Sequence, residues 1–131
     1  MRQDTYPLIY SCSGCSNVAQ LANELALRLD RADVAEMSCI AGVGGGVAAL
    51  VKLARSGRPV VAIDGCRLHC AKACLARAEV TPDLHLTLSD EGLRKRFGTD
   101  WQAEDAQRLE DRLVEQVWQL RQARKQPSPS I

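Results

Sequence analysis

The residues best equipped for chemistry in this chain are its six cysteines, three of which stand in one short stretch. In "AIDGCRLHCAKACL", residues 62 to 75, Cys66, Cys70 and Cys74 recur every four positions, slightly more than one helical turn. Cys12 and Cys15 form a C-x-x-C within "SCSGC", and Cys39 lies in "AEMSCIAG". The opening residues do not read as a secretory leader, so a cytosolic setting is expected in which thiols this numerous stay reduced, which points to metal binding or redox chemistry rather than a disulfide framework.

The spacing sorts these thiols. A helix running from Cys66 to Cys74 would rise roughly 12 Å, whereas zinc–sulfur bonds are about 2.3 Å long. Cys66 and Cys70 therefore make the natural pair, with Cys74 packing into the core or guarding the site. Cys12 and Cys15 fall between a strand and a helix start, where backbone amides and the helix dipole favour a thiolate. Cys39, at the end of a second strand, would reach the same sheet edge. The expected site is Cys12, Cys39, Cys66 and Cys70, with Cys15 and Cys74 as alternates. Such a thiolate set suits zinc or, as the alternative, an iron–sulfur cluster. Its spacing is not that of a zinc finger, a zinc ribbon or a bacterial ferredoxin. A different class of reading is a thiol–disulfide redox enzyme in which Cys12 or Cys15 attacks and a nearby cysteine resolves.

Other polar residues offer less. His69 would point about 100° away from Cys70 on a helix. His85 alternates with Leu84 and Leu86 and is expected on the solvent side of its strand. Asp64 could accept a hydrogen bond from an amide of the cysteine loop, and Gly65 could allow close backbone approach. The glycine run "AGVGGG" follows a strand and opens a helix, but it matches neither the dinucleotide fingerprint nor the P-loop. No arrangement for hydrolysis is present, so the sequence leaves open whether the protein is an enzyme.

These residues need elements to position them. "PLIY" and "PVVAID" are short continuous apolar runs, as expected of buried parallel strands. "AEMSCIAG" reads as a second strand ending near Cys39 and Ile40, and "DLHLTL" as a half-buried edge strand. Val18, Leu21, Ala22, Leu25 and Leu29 recur at helical spacing behind Ser16, a plausible N-cap. "GVGGGVAALVKLARSGRP" reads as a glycine loop and a helix, and the three-cysteine segment as a helix through about Ala78. Ser89 is expected to cap a short helix ending before Gly98. A long C-terminal helix, from roughly Trp101 to Lys125, carries Ala106, Leu109, Leu113, Val117 and Leu120 on one stripe, with "TDWQ" as a capping box.

Alternating strands and helices predict an α/β fold: a small, three-layer, mostly parallel four-stranded open sheet, Rossmann/flavodoxin-like, in the order 2-1-3-4. Ligands in such sheets bind beyond the carboxyl ends of the strands at the switch point, here between the first and third strands. Residues 1–125 are expected to form a single domain and 126–131 a disordered tail. Charge is nearly balanced, with 17 basic and 16 acidic residues, and aromatics make up only 4%. That balance argues against nucleic acid as a partner, and no apolar run could span a membrane. Cytoplasmic location is the expectation, with a homodimer through the long last helix left open.

At "CSGCSNVAQLAN", "EMSCIAGVGG" and "AIDGCRLHCAKACL" the sequence resembles the DGC family, zinc-binding proteins named for their Asp-Gly-Cys motif. The resemblance implies a bacterial or archaeal cytosolic protein whose cysteines chelate zinc. Carried over residue by residue, it points to Cys12, Cys39, Cys66 and Cys70, with Cys15 and Cys74 as additional cysteines. The expected role is metal or sulfur handling, or sensing.

Overall fold

A computed structural model describes residues 6–125; the expected tail at 126–131 lies outside them. Its sheet is the predicted one, four parallel strands in the order β2-β1-β3-β4. The central strands β1 (Leu8–Ser11) and β3 (Val60–Asp64) are buried along their whole length, as their apolar runs require. They pair in register from Leu8 with Val60 to Ser11 with Ile63. At the edges lie β2 (Glu36–Met37) and β4 (Leu84–Thr87).

Helices cover both faces, and alternation along the strands divides the core between them. Ile9, Val61 and Ile63 face α1 (Asn17–Arg31) and α5 (Ala103–Lys125), packed with Leu21, Leu25, Leu109 and Leu113. These four leucines are completely buried, which stabilises the fold by roughly 1.5–3 kcal/mol each. Leu8, Tyr10, Val60 and Ala62 point the other way, toward α2 (Ile40–Gly44), α3 (Ala48–Ala54) and α4 (Cys70–Arg77). Ser16 caps α1 as predicted, its hydroxyl accepting the Ala19 N–H at 3.1 Å.

Four expectations are corrected. β2 stops at Met37, because Cys39 already holds the extended N-cap conformation of α2. The start of the glycine run is helical rather than a loop: α2 takes Gly42 and Gly44, and the amides of Gly45 and Gly46 donate to Ala41 and Val43. Only a 3-10 turn, Leu88–Asp90, follows β4, and no regular helix continues from it toward Gly98. Finally, α5 begins at Ala103, with the Gln102 carbonyl accepting the Ala106 N–H at 3.1 Å. Thr99 therefore lies too early to cap it. Among the described residues no helix is long and apolar enough to cross a membrane.

Candidate functional site at the sheet switch point

The chain after β1 and the chain after β3 leave adjacent strands, and α1 and α4 then go to opposite faces of the sheet. That switch point is where parallel sheets open a crevice. The three-cysteine segment is not one helix: Asp64 ends β3, Cys66–His69 form a turn, and α4 starts only at Cys70. His69 causes this break. It sits in the left-handed region at φ 54°, which a continuing right-handed helix cannot contain.

Each residue of "DGC" then has a separate task. Asp64 is fully buried, and its carboxylate accepts the Ala71 N–H at 2.8 Å and the Lys72 N–H at 3.2 Å. It thus satisfies first-turn amides of α4, where the dipole favours negative charge. Gly65 lies against α1: a Cβ there would fall 2.7 Å from the Val18 carbonyl carbon and 2.8 Å from the Ala19 nitrogen. Its N–H donates to Cys12 Sγ at 3.1 Å. Cys66 is half-buried beside them, with the Lys95 ammonium 3.4 Å from its sulfur.

The result is a pocket of about 180 Å³ lined by Cys12, Cys15, Cys66 and Cys70, together with Lys95 and Phe97. It is below the usual range for drug-sized ligands and of a size for an ion or a small reactive group. Cys12 is only 8% exposed. Burial pushes its thiol up to about 11; the Gly65 amide opposes this, while Asp64 and the thiols of Cys70 and Cys66 add to it. Cys15 and Cys70 are exposed, so the pocket holds both a protected and two accessible sulfurs.

The remaining cysteines lie elsewhere. Cys39 is exposed and lines a neighbouring depression with Ser11, Met37 and Ser38; Ser13 borders both hollows. Cys74 presses against α2, its sulfur 2.7 Å from where a Gly44 Cβ would be. Among the described residues no three His, Cys, Asp or Glu stand in an arrangement that holds a metal ion. The donor chemistry of the pocket suits zinc, being four sulfurs on one cavity, but these sulfurs are not drawn together around a common centre.

Sequence reasoning missed the roof of this pocket. The segment leading to Phe97 has no regular structure to announce it, and Asn17 fixes it from a distance. Asn17 N–H and Nδ2 donate to the carbonyls of Arg96 and Arg94 at 3.0 Å each, and its Oδ1 accepts the Arg96 N–H at 2.7 Å. Lys95 also lies over the Phe97 ring, 5.3 Å from its centroid. His85 was expected to face solvent, but His69, in the turn before α4, lies against that side of β4, its Nε2 3.0 Å from Thr87 Oγ1. His85 Nε2 lies 2.8 Å from Asp64 Oδ2, and its ring meets that of His69 edge-on. Asp64 was anticipated as an acceptor of loop amides; the amides are those of α4.

A family model described as the DGC domain matches residues 8–113. A protein named "Anaerobic and virulence modulator AnvM", from Pseudomonas aeruginosa strain PAO1, is 72% identical over 106 residues. The match covers 81% of this chain and 81% of that protein. No solved structure matches the chain. With Asp64, Gly65 and Cys66 each given a place at the switch point, and the family match running through all six cysteines, the chain belongs to the DGC-domain family.

Proposed function

We propose that this chain is a small zinc-binding protein that handles or senses metal or sulfur through the thiol pocket. The observation that carries this reading is the convergence of Cys12, Cys15, Cys66 and Cys70, from the ends of two strands and the start of a helix, on one small cavity. Cys12, Cys66 and Cys70 keep the roles that their spacing suggested. Cys15 replaces Cys39 as the fourth donor, because it shares their cavity. Zinc held there would supply either a structural clamp or a Lewis acid. The protein's own part is to deliver the sulfurs: Gly65 hydrogen-bonds Cys12, Asp64 anchors the helix that presents Cys70, and Lys95 neutralises charge beside Cys66.

The relative's name makes that protein a modulator tied to anaerobic conditions and virulence. For this chain it supports a regulatory rather than a metabolic setting. A regulator responsive to metal or oxygen needs accessible sulfur, which Cys15 and Cys70 provide.

The test is metal analysis and free-thiol counting on protein purified anaerobically without added metal. About one equivalent of zinc, lost in Cys66→Ser and Cys15→Ser but retained in Cys39→Ser, is the expected result. Metal-free protein with a reversible Cys12–Cys15 disulfide would overturn this reading in favour of redox chemistry. Bound iron with visible charge-transfer absorption would replace zinc by an iron–sulfur cluster.

A further inference from the structure

Among the described residues a second hollow is larger than the thiol pocket. A cleft of about 820 Å³ opens between α2, α3 and the end of α4, within the range of small-molecule sites. Ala48 and Val51 contribute its accessible apolar lining, with the buried Val43 and Ala78 behind them. Lys52, Arg55 and Arg77 line it too, and among the described residues no carboxylate pairs with any of these three side chains. Glu79 is the one acidic residue on the cleft wall, so the wall carries a clear excess of positive charge.

We propose that this cleft binds an amphipathic organic anion, its apolar body on Ala48 and Val51 and its carboxylate, sulfonate or phosphate group between Arg55 and Arg77. Three observations narrow the ligand to this class. Unpaired cations around a concave, partly apolar wall focus potential on anions, and Arg binds oxyanions through paired donors. The apolar lining gives no advantage to a free inorganic anion. The Gly45 and Gly46 amides are spent on the carbonyls of Ala41 and Val43, so the glycine run offers no phosphate cradle there, and the Arg55 and Arg77 side chains are the groups placed to hold the head group. The cleft shares α4 with the thiol pocket but none of that pocket's lining residues.

The full chain can be titrated with 8-anilinonaphthalene-1-sulfonate, following its fluorescence, with uncharged N-phenyl-1-naphthylamine as comparator. One saturable site is expected, with amide NMR shifts centred on Val43, Val51 and Ala78. Binding should weaken about tenfold or more in the double variant Arg55→Glu/Arg77→Glu. Decanoate or decyl phosphate should displace the probe, and whichever competes better identifies the head group. Arg55 and Arg77 are exposed, so the variant should fold, as circular dichroism would check; Lys52→Glu provides a second, smaller reduction. The proposal is overturned by unchanged affinity in the double variant, by equally tight binding of the uncharged probe, or by shifts confined to the thiol pocket.

Discussion

Replacing Gly65 with alanine tests the close packing of β3's end against α1. The new Cβ would lie 2.7 Å from Val18 C, 2.8 Å from Val18 O and 2.8 Å from Ala19 N. Carbon atoms pack best at about 3.5–4.0 Å, so the overlap with Val18 C is roughly 1 Å. All three contacts are main-chain atoms, and no side chain can rotate away. α1 is itself held by seven buried side chains. Overpacking of this kind costs about 1–3 kcal/mol and sometimes more, while the stiffer unfolded chain returns about 0.4–1 kcal/mol. With rigid main-chain contacts putting the cost at the top of that range, we expect a net loss of about 2–2.5 kcal/mol, a fall in Tm of about 6–12 °C for a domain of this size. Gly42→Ala is the matched control. Its Cβ would meet Leu50 Cδ1 at 2.0 Å, the far end of a half-buried side chain that can swing aside, so the loss should stay below about 1 kcal/mol. Thermal and urea unfolding of both variants in one buffer gives the comparison. A Gly65→Ala protein melting within about 2 °C of the parent, or no lower than Gly42→Ala, would refute the packing argument.

Asp64→Ala leaves two amides of α4 and His85 without their acceptor in a fully buried place. Urea unfolding should show a loss of about 2–4 kcal/mol, against about 1–2 kcal/mol for Asp64→Asn, which keeps one acceptor oxygen. Equal stability of Asp64→Ala and the parent would remove the anchoring role. In metal-free, reduced protein at about pH 8, iodoacetamide followed by peptide mass mapping should label the exposed Cys15, Cys39 and Cys70 first and Cys12 last. The rise of the Cys12 thiol from 9.0 to about 11 cuts its thiolate about 100-fold. Because the folded value is the higher one, folding favours the neutral thiol. That contribution is complete below pH 9 and is lost as pH rises through about 11. Labelling of Cys12 at the rate of Cys15 would contradict it.

Much of this architecture is legible in the residues. The apolar runs of β1 and β3, the stripe on α1 and the strand order follow from patterns that burial on two faces imposes, and so does the placing of Cys12 and Cys66 at the switch point. What escapes is set by contacts between distant segments. Cys66 leaves the helix because His69 turns left-handed, a choice that no periodicity signals. Lys95 and Phe97 reach the pocket through hydrogen bonds to Asn17, far away in sequence and without a motif. Cys39 lines the neighbouring depression and not the thiol pocket, because β2 is only two residues long and Cys39 already starts α2. His85 was assigned the side of the strand opposite Leu84 and Leu86, but the contacts that it makes there with Asp64 and His69 depend on the turn after β3 and not on β4.

The pairing of β1 with β3 also fixes when the pocket can exist. Cys12 and Gly65, whose hydrogen bond joins its two walls, lie 53 positions apart in the chain. At a translation rate of about 5–20 residues per second, Cys12 and Cys15 are made several seconds before the strand that will enclose them. No local contact can shelter them meanwhile, since a parallel neighbour arrives only after its crossover is complete. The roof carried by Lys95 and Phe97 follows later still. The enclosure of Cys12 therefore begins only when β3 is in place.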